Sequence, residues 1–345
     1  MTTSSIFARG YAALEAEDLD GVRAAIDESL AAGVAAEDPR VGYLRFMSAW
    51  LDEDVEAEQL DQMFADAGEV LAAAVQLEDG AEAARISLDL ADLLAQAGEF
   101  DDAEHALRTL SEREDVGPES LGAACLLQAS ISLDHHEDPD EALNLLDAAP
   151  MVIREDAGYL SLRAATLIEL DRGDEAIALL EAAIAHKDEV ELRYQLGLAL
   201  RQVGRDDDAV VHLLEVRRRD LANHDIDASE AVPGDEVEDL RRRVEDVLDT
   251  LPDPLMAKVA SAPIRIERWV SEDAIRAGAD PRTPVMFEGE PANDDDEEGR
   301  LDALVVYRDA IVAQIDDDEE IVEVVALGFV EEFDRFFAIE LIPGM

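Results

Sequence analysis

Residues 167–186, LIELDRGDEAIALLEAAIAH, contain the pattern that decides the fold of this chain. An apolar helical stretch ends in the short turn DRGDE at 171–175, and a second apolar helix begins at Ala176. A small residue at the alanine position lets the two helices of a hairpin approach closely. Leu180 follows one helical turn later on the same face and fills the contact. The stretch therefore predicts a helical hairpin.

The same pattern occurs four times between residues 84 and 222. The alanines that follow the four turns are spaced by 39, 34 and 33 residues, and each is followed four positions later by a leucine. Two of these spacings match a helix-turn-helix repeat of about 34 residues. The four pairs are Ala103 and Leu107, Ala142 and Leu146, Ala176 and Leu180, and Ala209 and Leu213.

These segments resemble tetratricopeptide repeats, and two further hairpins are predicted between residues 5 and 76. The resemblance implies an α-solenoid whose first helices line a concave groove that holds a peptide of a partner protein. Because many of the groove residues are acidic, a basic partner segment is favoured. The repeat register places in the groove Arg85, Asp92, Gln96, Asp134, His135, Glu169, Glu191, Tyr194, Arg201 and Gln202.

The pattern changes after the repeats, so the chain is predicted to have two domains. Residues 1–222 form the helical repeats, the polar segment 223–235 is a linker, and 236–345 form a small α+β domain. In the second domain we predict helices over 237–251 and 319–337. The strands are predicted over 264–270 and 304–307. The fold class is therefore mostly α, with a small α+β domain at the end.

The second domain resembles the minimal zincin-like metallopeptidase family. The resemblance rests on a helix ending in Leu-Pro, the string APIRIE at 262–267, a segment from ADP at 279–281 to FEG at 287–289, a strand ending in YR at 307–308, and a final helix. The family carries His-Glu-x-x-His on that helix, which binds zinc and activates water.

The matching positions here keep only one part of that motif. The resemblance places Val330 and Asp334 where the two histidines would stand, Glu331 at the catalytic glutamate, and Glu340 at the acidic third ligand. None of the six histidines lies in the second domain. We therefore expect a pseudoenzyme that has no metal, no cofactor and no catalytic residue. The alternative is a metal-dependent peptidase that uses Glu331 in a divergent site.

The charge of the chain excludes several classes of partner. The chain has 84 acidic and 28 basic residues, with a formal net charge of −56, and an anionic surface repels nucleic acid and anionic lipid. Acids spread over the whole chain are typical of halophilic proteins, in which salt screens self-repulsion, and a surface for a basic partner is the other interpretation.

No apolar stretch reaches the length of a membrane span, and the first residues lack the pattern of a signal peptide. We expect a cytoplasmic protein that contacts neither membrane nor nucleic acid and that functions as an interaction module or scaffold.

Three further features of the sequence are interpreted as structural rather than functional. Cys125 is predicted to be a core residue. His135 and His136 are predicted to lie in a hydrated turn, with a weak metal site as the alternative. The arginine clusters at 217–219 and 241–243 are predicted to form local ion pairs, with docking of the two domains as the alternative.

Overall fold

The computed structural model describes residues 3–51, 57–224, 226–228, 230–292, 299–315 and 320–339, with the backbone alone at 57–61 and 253. These residues form 17 α-helices and a three-stranded sheet near the C-terminal end. The chain divides into two compact units, residues 1–179 and 180–345. The predicted mostly helical class, with a small sheet late in the chain, is confirmed.

The first unit consists of helices joined by short turns. Each helix from the first to the eighth contacts the next one along the chain, and the seventh helix also contacts the fifth and the ninth. Its helices are α1 Thr3–Glu15, α2 Leu19–Ala31, α3 Pro39–Trp50, α4 Ala57–Ala74, α5 Gly80–Gln96, α6 Phe100–Ser111, α7 Pro118–Asp134, α8 Pro139–Ala148 and α9 Ala157–Glu169, and α10 Gly173–His186 crosses the boundary between the units.

Five hairpin turns share one backbone conformation. In every case the residue with positive φ lies five positions before a small or apolar residue in the first turn of the second helix. In four of the turns the next residue donates its backbone N–H to a carbonyl five residues earlier, as Arg172 does to Leu167 at 2.8 Å. This hydrogen bond is the Schellman arrangement that ends a helix. The five residues with positive φ are Glu17, Glu137, Asp171, Gly98 and Gly204.

The burial of the hairpin contacts agrees with the register of the sequence pattern. The four alanines that follow the turns, and the leucine four residues after each, have no exposed surface. The two N-terminal hairpins are also present as α1 with α2 and α3 with α4. Burial at these positions supports a helical hairpin for each segment, while membership of the tetratricopeptide family stays a prediction.

The second unit combines the last helical hairpin with the sheet. Its apolar core joins Leu213 of that hairpin to Trp269, Val305 and Tyr307. The unit contains α11 Val190–Gln202, α12 Asp206–Asn223, α13 Gly234–Asp249, α14 Asp253–Val259, β1 Ile264–Glu267, α15 Glu272–Arg276, β2 Val285–Glu290, β3 Arg300–Tyr307, α16 Arg308–Val312 and α17 Ile321–Phe337. The predicted bounds of the two domains stay predictions.

The strand β3 lies in the middle of the sheet, so β1 and β2 are edge strands. β1 pairs parallel with β3, with Ile264 opposite Leu304, and β2 pairs antiparallel with it, with Val285 opposite Val306. Helix α17 packs on β2 through Phe329 and Phe333, which contact Phe287. This packing brings the last helix and the β2 edge together.

The sequence pattern missed several short elements of the second unit. It placed a helix stop at Pro252 and Pro254, whereas Pro254 lies in the first turn of α14, where the missing N–H costs no intrahelical hydrogen bond. It gave no strand at β2, and the five-residue helices α15 and α16 are too short to show a helical period. The strand predicted over 264–270 is shorter in the structure, where β1 ends at Glu267.

Within the described ranges, no helix combines the length and the apolar character needed to span a bilayer.

We predict that Gly204→Ala lowers the free energy of unfolding by about 1 kcal/mol, because a Cβ disfavours the left-handed conformation. A Cβ at residue 204 would meet no atom within 4 Å, so the cost is conformational alone. The control is Gly158→Ala in α9, which has equally open space and should be neutral or stabilising by up to about 1 kcal/mol. Urea unfolding measures both. Equal stability of Gly204→Ala and wild type would contradict the turn assignment.

Candidate functional site

Five of the predicted groove residues lie near or at the ends of three helices of the first unit. We call the exposed side chains of Asp92, Gln96, Asp134, His135 and Glu169 the acidic face. Gln96, Asp134 and Glu169 are the last residues of α5, α7 and α9. Helix α5 contacts α7, and α7 contacts α9.

None of the described arginines or lysines forms an ion pair with a carboxylate of the acidic face. Asp92 accepts a hydrogen bond from Gln96 at 3.1 Å, and Asp134 accepts one from Ser130 at 2.8 Å. No ion pair joins Asp92, Asp134 or Glu169 to an arginine or lysine among the described residues. A carboxylate at a helix C-terminus also meets the negative end of the helix dipole, which costs about 0.3–1 kcal/mol. The ends of α7 and α9 therefore do not favour a carboxylate at Asp134 or Glu169.

Arg85, the first predicted groove residue, takes part in an internal cluster. It pairs with Glu15 at 2.7 Å and lies over the ring of Tyr11, 4.8 Å from the ring centroid. Tyr43 donates a hydrogen bond to Asp89 at 2.5 Å in the same region. The cation of Arg85 is thus balanced within the unit.

The histidine pair makes contacts of its own. His135 stacks on Phe100 with 3.6 Å between ring centroids, and the Nε2 atom of His136 lies 2.7 Å from Glu104. Among the described residues, no group of three or more His, Cys, Asp or Glu side chains is arranged to hold a metal ion. Cys125 is half-buried, and burial raises the pKa of its thiol.

The predicted ion pairs of the arginine clusters are present. Arg218 and Arg219 each pair with Glu215 at 2.7 Å, and Arg243 pairs with Asp239 at 3.0 Å. Arg217 instead donates a hydrogen bond to the carbonyl of Val270 at 2.6 Å. This contact joins α12 to the segment after β1 within the second unit.

The second unit contains a cleft of about 1180 Å³. The walls of the cleft come from α11, α15, β2 and α17 and from the segments that flank α15 and α16. Apolar residues of the cleft include Pro284, Phe287, Val324 and Leu327. Its polar lining residues are Tyr194, Arg201, Ser271, Asp273, Asp280, Arg282, Thr283, Glu288, Gln314, Glu331, Glu332 and Arg335.

One wall of the cleft is fixed by Arg282. Its guanidinium donates to Asp220 at 2.8 Å and to Glu191 at 2.7 Å, and it lies 4.5 Å from the ring centroid of Tyr194. Burial opposes the charge of Arg282, but the bonds to Asp220 and Glu191 outweigh it and raise its pKa. Tyr194 donates its hydroxyl proton to Asp280 at 2.9 Å. Burial raises the pKa of Asp280 and that of Tyr194.

The last four predicted groove residues, which all lie in the second unit, differ in their contacts. Glu191 and Tyr194 contact Arg282 and Asp280, and Arg201 donates to the carbonyl of Ala279 at 3.3 Å. Gln202 is exposed at the end of α11. Three of the four therefore make contacts within the second unit, and contact of all four with a partner stays a prediction.

The positions that match the zincin motif lie on α17. Val330 is half-buried, Asp334 is exposed, and Glu331 lines the cleft. Phe337, which stands where the family has its glycine, is buried. Glu340 lies outside the described residues. Both the pseudoenzyme and the alternative peptidase stay predictions.

Sequence reasoning missed Glu332 and Arg335, which cover the free edge of β2. Glu332 is 6% exposed and accepts the N–H of Phe287 at 2.5 Å. Arg335 donates to the carbonyl of Phe287 at 3.2 Å and pairs with Glu332 at 2.5 Å. These side chains occupy the backbone positions that an added strand would use. Only the spacing of Glu332 and Arg335, one turn apart, gave a signal in the sequence.

The other polar lining side chains also have partners. Ser271 accepts the N–H of Ala274, and Thr283 and Gln314 donate to backbone carbonyls. Asp273 pairs with Arg276, and Glu288 pairs with Arg265.

Glu331 is the exception in the cleft. It makes no hydrogen bond and no ion pair to any described residue. Although the residue as a whole is exposed, partial desolvation of its carboxyl raises the pKa of Glu331, and the charges of Asp280 and Glu332 raise it further. The ionised form of Glu331 is therefore disfavoured in the folded protein.

We predict that Glu331→Gln stabilises the protein at neutral pH. The folded pKa of Glu331 lies above its ordinary value of 4.5, so stability is lost as pH rises through the folded pKa. The gain of the variant should shrink as pH falls below the ordinary value. Urea unfolding at several pH values measures the effect. The control is Glu323→Gln, because Glu323 is also an exposed glutamate of α17 but does not line the cleft. A Glu331→Gln variant less stable than wild type at neutral pH would contradict the interpretation.

No protein-family model matches this chain, and no curated protein matches it either. The two resemblances in the sequence, to tetratricopeptide repeats and to the minimal zincin domain, therefore stay predictions.

Proposed function

We propose that this protein is a non-enzymatic interaction protein that holds a basic segment of a partner protein on the acidic face. The observation that carries the proposal is the placement of Asp134 and Glu169. Each lies at the C-terminus of a helix, where a carboxylate is unfavourable, and neither has a cation beside it among the described residues. A partner lysine or arginine would supply that cation.

The composition of the acidic face suits an extended peptide. Asp92, Asp134 and Glu169 come from three different helices, so one compact side chain would not reach all three. The amide of Gln96 and the imidazole of His135 add groups that can donate or accept hydrogen bonds. A segment with several basic residues would therefore bind along the three helix ends.

The second unit has a separate role in this proposal. Its resemblance to the minimal zincin domain, with Val330 at a ligand position, supports a domain that keeps the fold without the chemistry. The chain would then be a scaffold that requires no metal or cofactor. The partner is a protein or peptide rather than nucleic acid or membrane, because the net charge of −56 repels phosphate.

A peptide-retention experiment tests the acidic face. Blocked 12-residue peptides with random sequences are passed over the immobilised protein, and the retained peptides are identified by mass spectrometry. We expect enrichment of arginine and lysine. The triple variant Asp92→Asn, Asp134→Asn, Glu169→Gln should reduce that enrichment by about tenfold, since each exposed ion pair contributes roughly 0.5 kcal/mol.

The control variant removes the same number of charges elsewhere in the first unit. Glu112→Gln, Glu114→Gln and Glu155→Gln change exposed residues outside the acidic face. This control should keep the enrichment of the wild type. An equal loss in both triple variants would show attraction by net charge alone and would contradict the proposal.

A further inference from the structure

One carboxylate in the cleft of the second unit, that of Glu331, makes no hydrogen bond or ion pair to a described residue. The three arginines that line it are all engaged, since Arg201 donates to Ala279, Arg282 to Asp220 and Glu191, and Arg335 to Glu332 and Phe287. Glu331 alone among the described polar lining side chains has no partner. Glu331 is therefore the carboxylate of the described cleft that a bound ligand can pair with directly.

The neighbours of Glu331 determine which cation fits. Asp280 already accepts from the Tyr194 hydroxyl and from the backbone N–H of Arg282, and Glu332 is held by Arg335. A divalent metal ion takes several oxygen ligands, which Glu331 cannot supply by itself. A guanidinium or ammonium group needs only one carboxylate to form a charge-assisted hydrogen bond. The geometry therefore favours an organic cation.

An exposed apolar side chain lies beside this carboxylate. Leu327 precedes Glu331 by one helical turn on α17, and it is 51% exposed although it lines the cleft. Val324 and Pro284 extend the apolar surface. A ligand that combines a cationic group with an apolar one would cover Leu327 and neutralise Glu331 together.

We propose that the cleft binds an arginine or lysine side chain of a peptide, with an apolar neighbour of that residue against Leu327. The volume of about 1180 Å³ exceeds what one side chain fills, so several residues of the peptide fit. This site is separate from the acidic face, because no residue is shared between them.

The peptide would be recognised through its side chains in this cleft. At Phe287 both outward backbone groups of β2 are already bonded, to Glu332 and Arg335. A peptide therefore cannot pair with β2 at this residue as an added strand while those bonds persist. Recognition would depend on the charge of Glu331 and the surface of Leu327.

The experiment compares two pools of blocked heptapeptides that differ at the central residue. One pool has arginine there and the other has citrulline, which has nearly the same shape and no charge, and the other positions are random. The protein carries Asp92→Asn, Asp134→Asn and Glu169→Gln, so that the acidic face does not contribute. Retention of each pool on the immobilised protein is measured by mass spectrometry.

We expect about tenfold higher retention of the arginine pool, the effect of one charge-assisted hydrogen bond. Adding Glu331→Gln should bring the ratio close to one, whereas the matched variant Glu323→Gln should leave it unchanged. The proposal would be overturned if the protein that keeps Glu331 retained the two pools equally. It would also be overturned if Glu331→Gln and Glu323→Gln changed the retention ratio by the same amount.

A second variant tests the apolar part of the site. The retained arginine peptides should be enriched in leucine, isoleucine and valine next to the central residue. Leu327→Ala should remove that enrichment, because it removes the exposed side chain from the cleft wall. Unchanged enrichment would overturn the placement of the apolar neighbour against Leu327.

Discussion

Arg282 joins the last helical hairpin to the sheet. Its guanidinium lies between Asp220 of α12 and Glu191 of α11, and it stacks on Tyr194, which in turn donates to Asp280. Asp220 is buried, so removal of the cation would leave a buried carboxylate without a partner, which typically costs about 3–5 kcal/mol. This network, together with the shared apolar core, makes the hairpin and the sheet one compact unit.

The form and charge of the cleft follow from these contacts of Arg282. Arg282 and Tyr194 line one wall of the cleft, while Glu332 and Arg335 cover the edge of β2 on another. Because these groups bond to one another, most of the charge in the cleft is balanced. Glu331 remains as the group that a ligand could neutralise. In the first unit, Asp134 and Glu169 of the acidic face likewise lie at helix ends, where a carboxylate is unfavourable.

The sequence predicted the parts of the fold that depend on local pattern. The helical hairpins could be found because an alanine and a leucine recur at one spacing, and all of these side chains are buried. The strand β2 could not, because its pairing with β3 decides it and its six residues carry little signal of their own. The helix α14 was missed because a proline can either end a helix or begin one. Arg282 was not singled out, since Glu191 precedes it by 91 residues, and no local pattern reports such a contact.

The most direct measurement is native-state hydrogen exchange of the second unit in the wild type and in Arg282→Met. If Arg282 makes the hairpin and the sheet one cooperative unit, then Leu196 and Leu200 in α11 should share an opening free energy with Val305 and Val306 in β3. The variant should lower all four values by the same amount. The account would be contradicted if the α11 amides open at a lower free energy than the β3 amides in the wild type, or if Arg282→Met changes only one of the two elements.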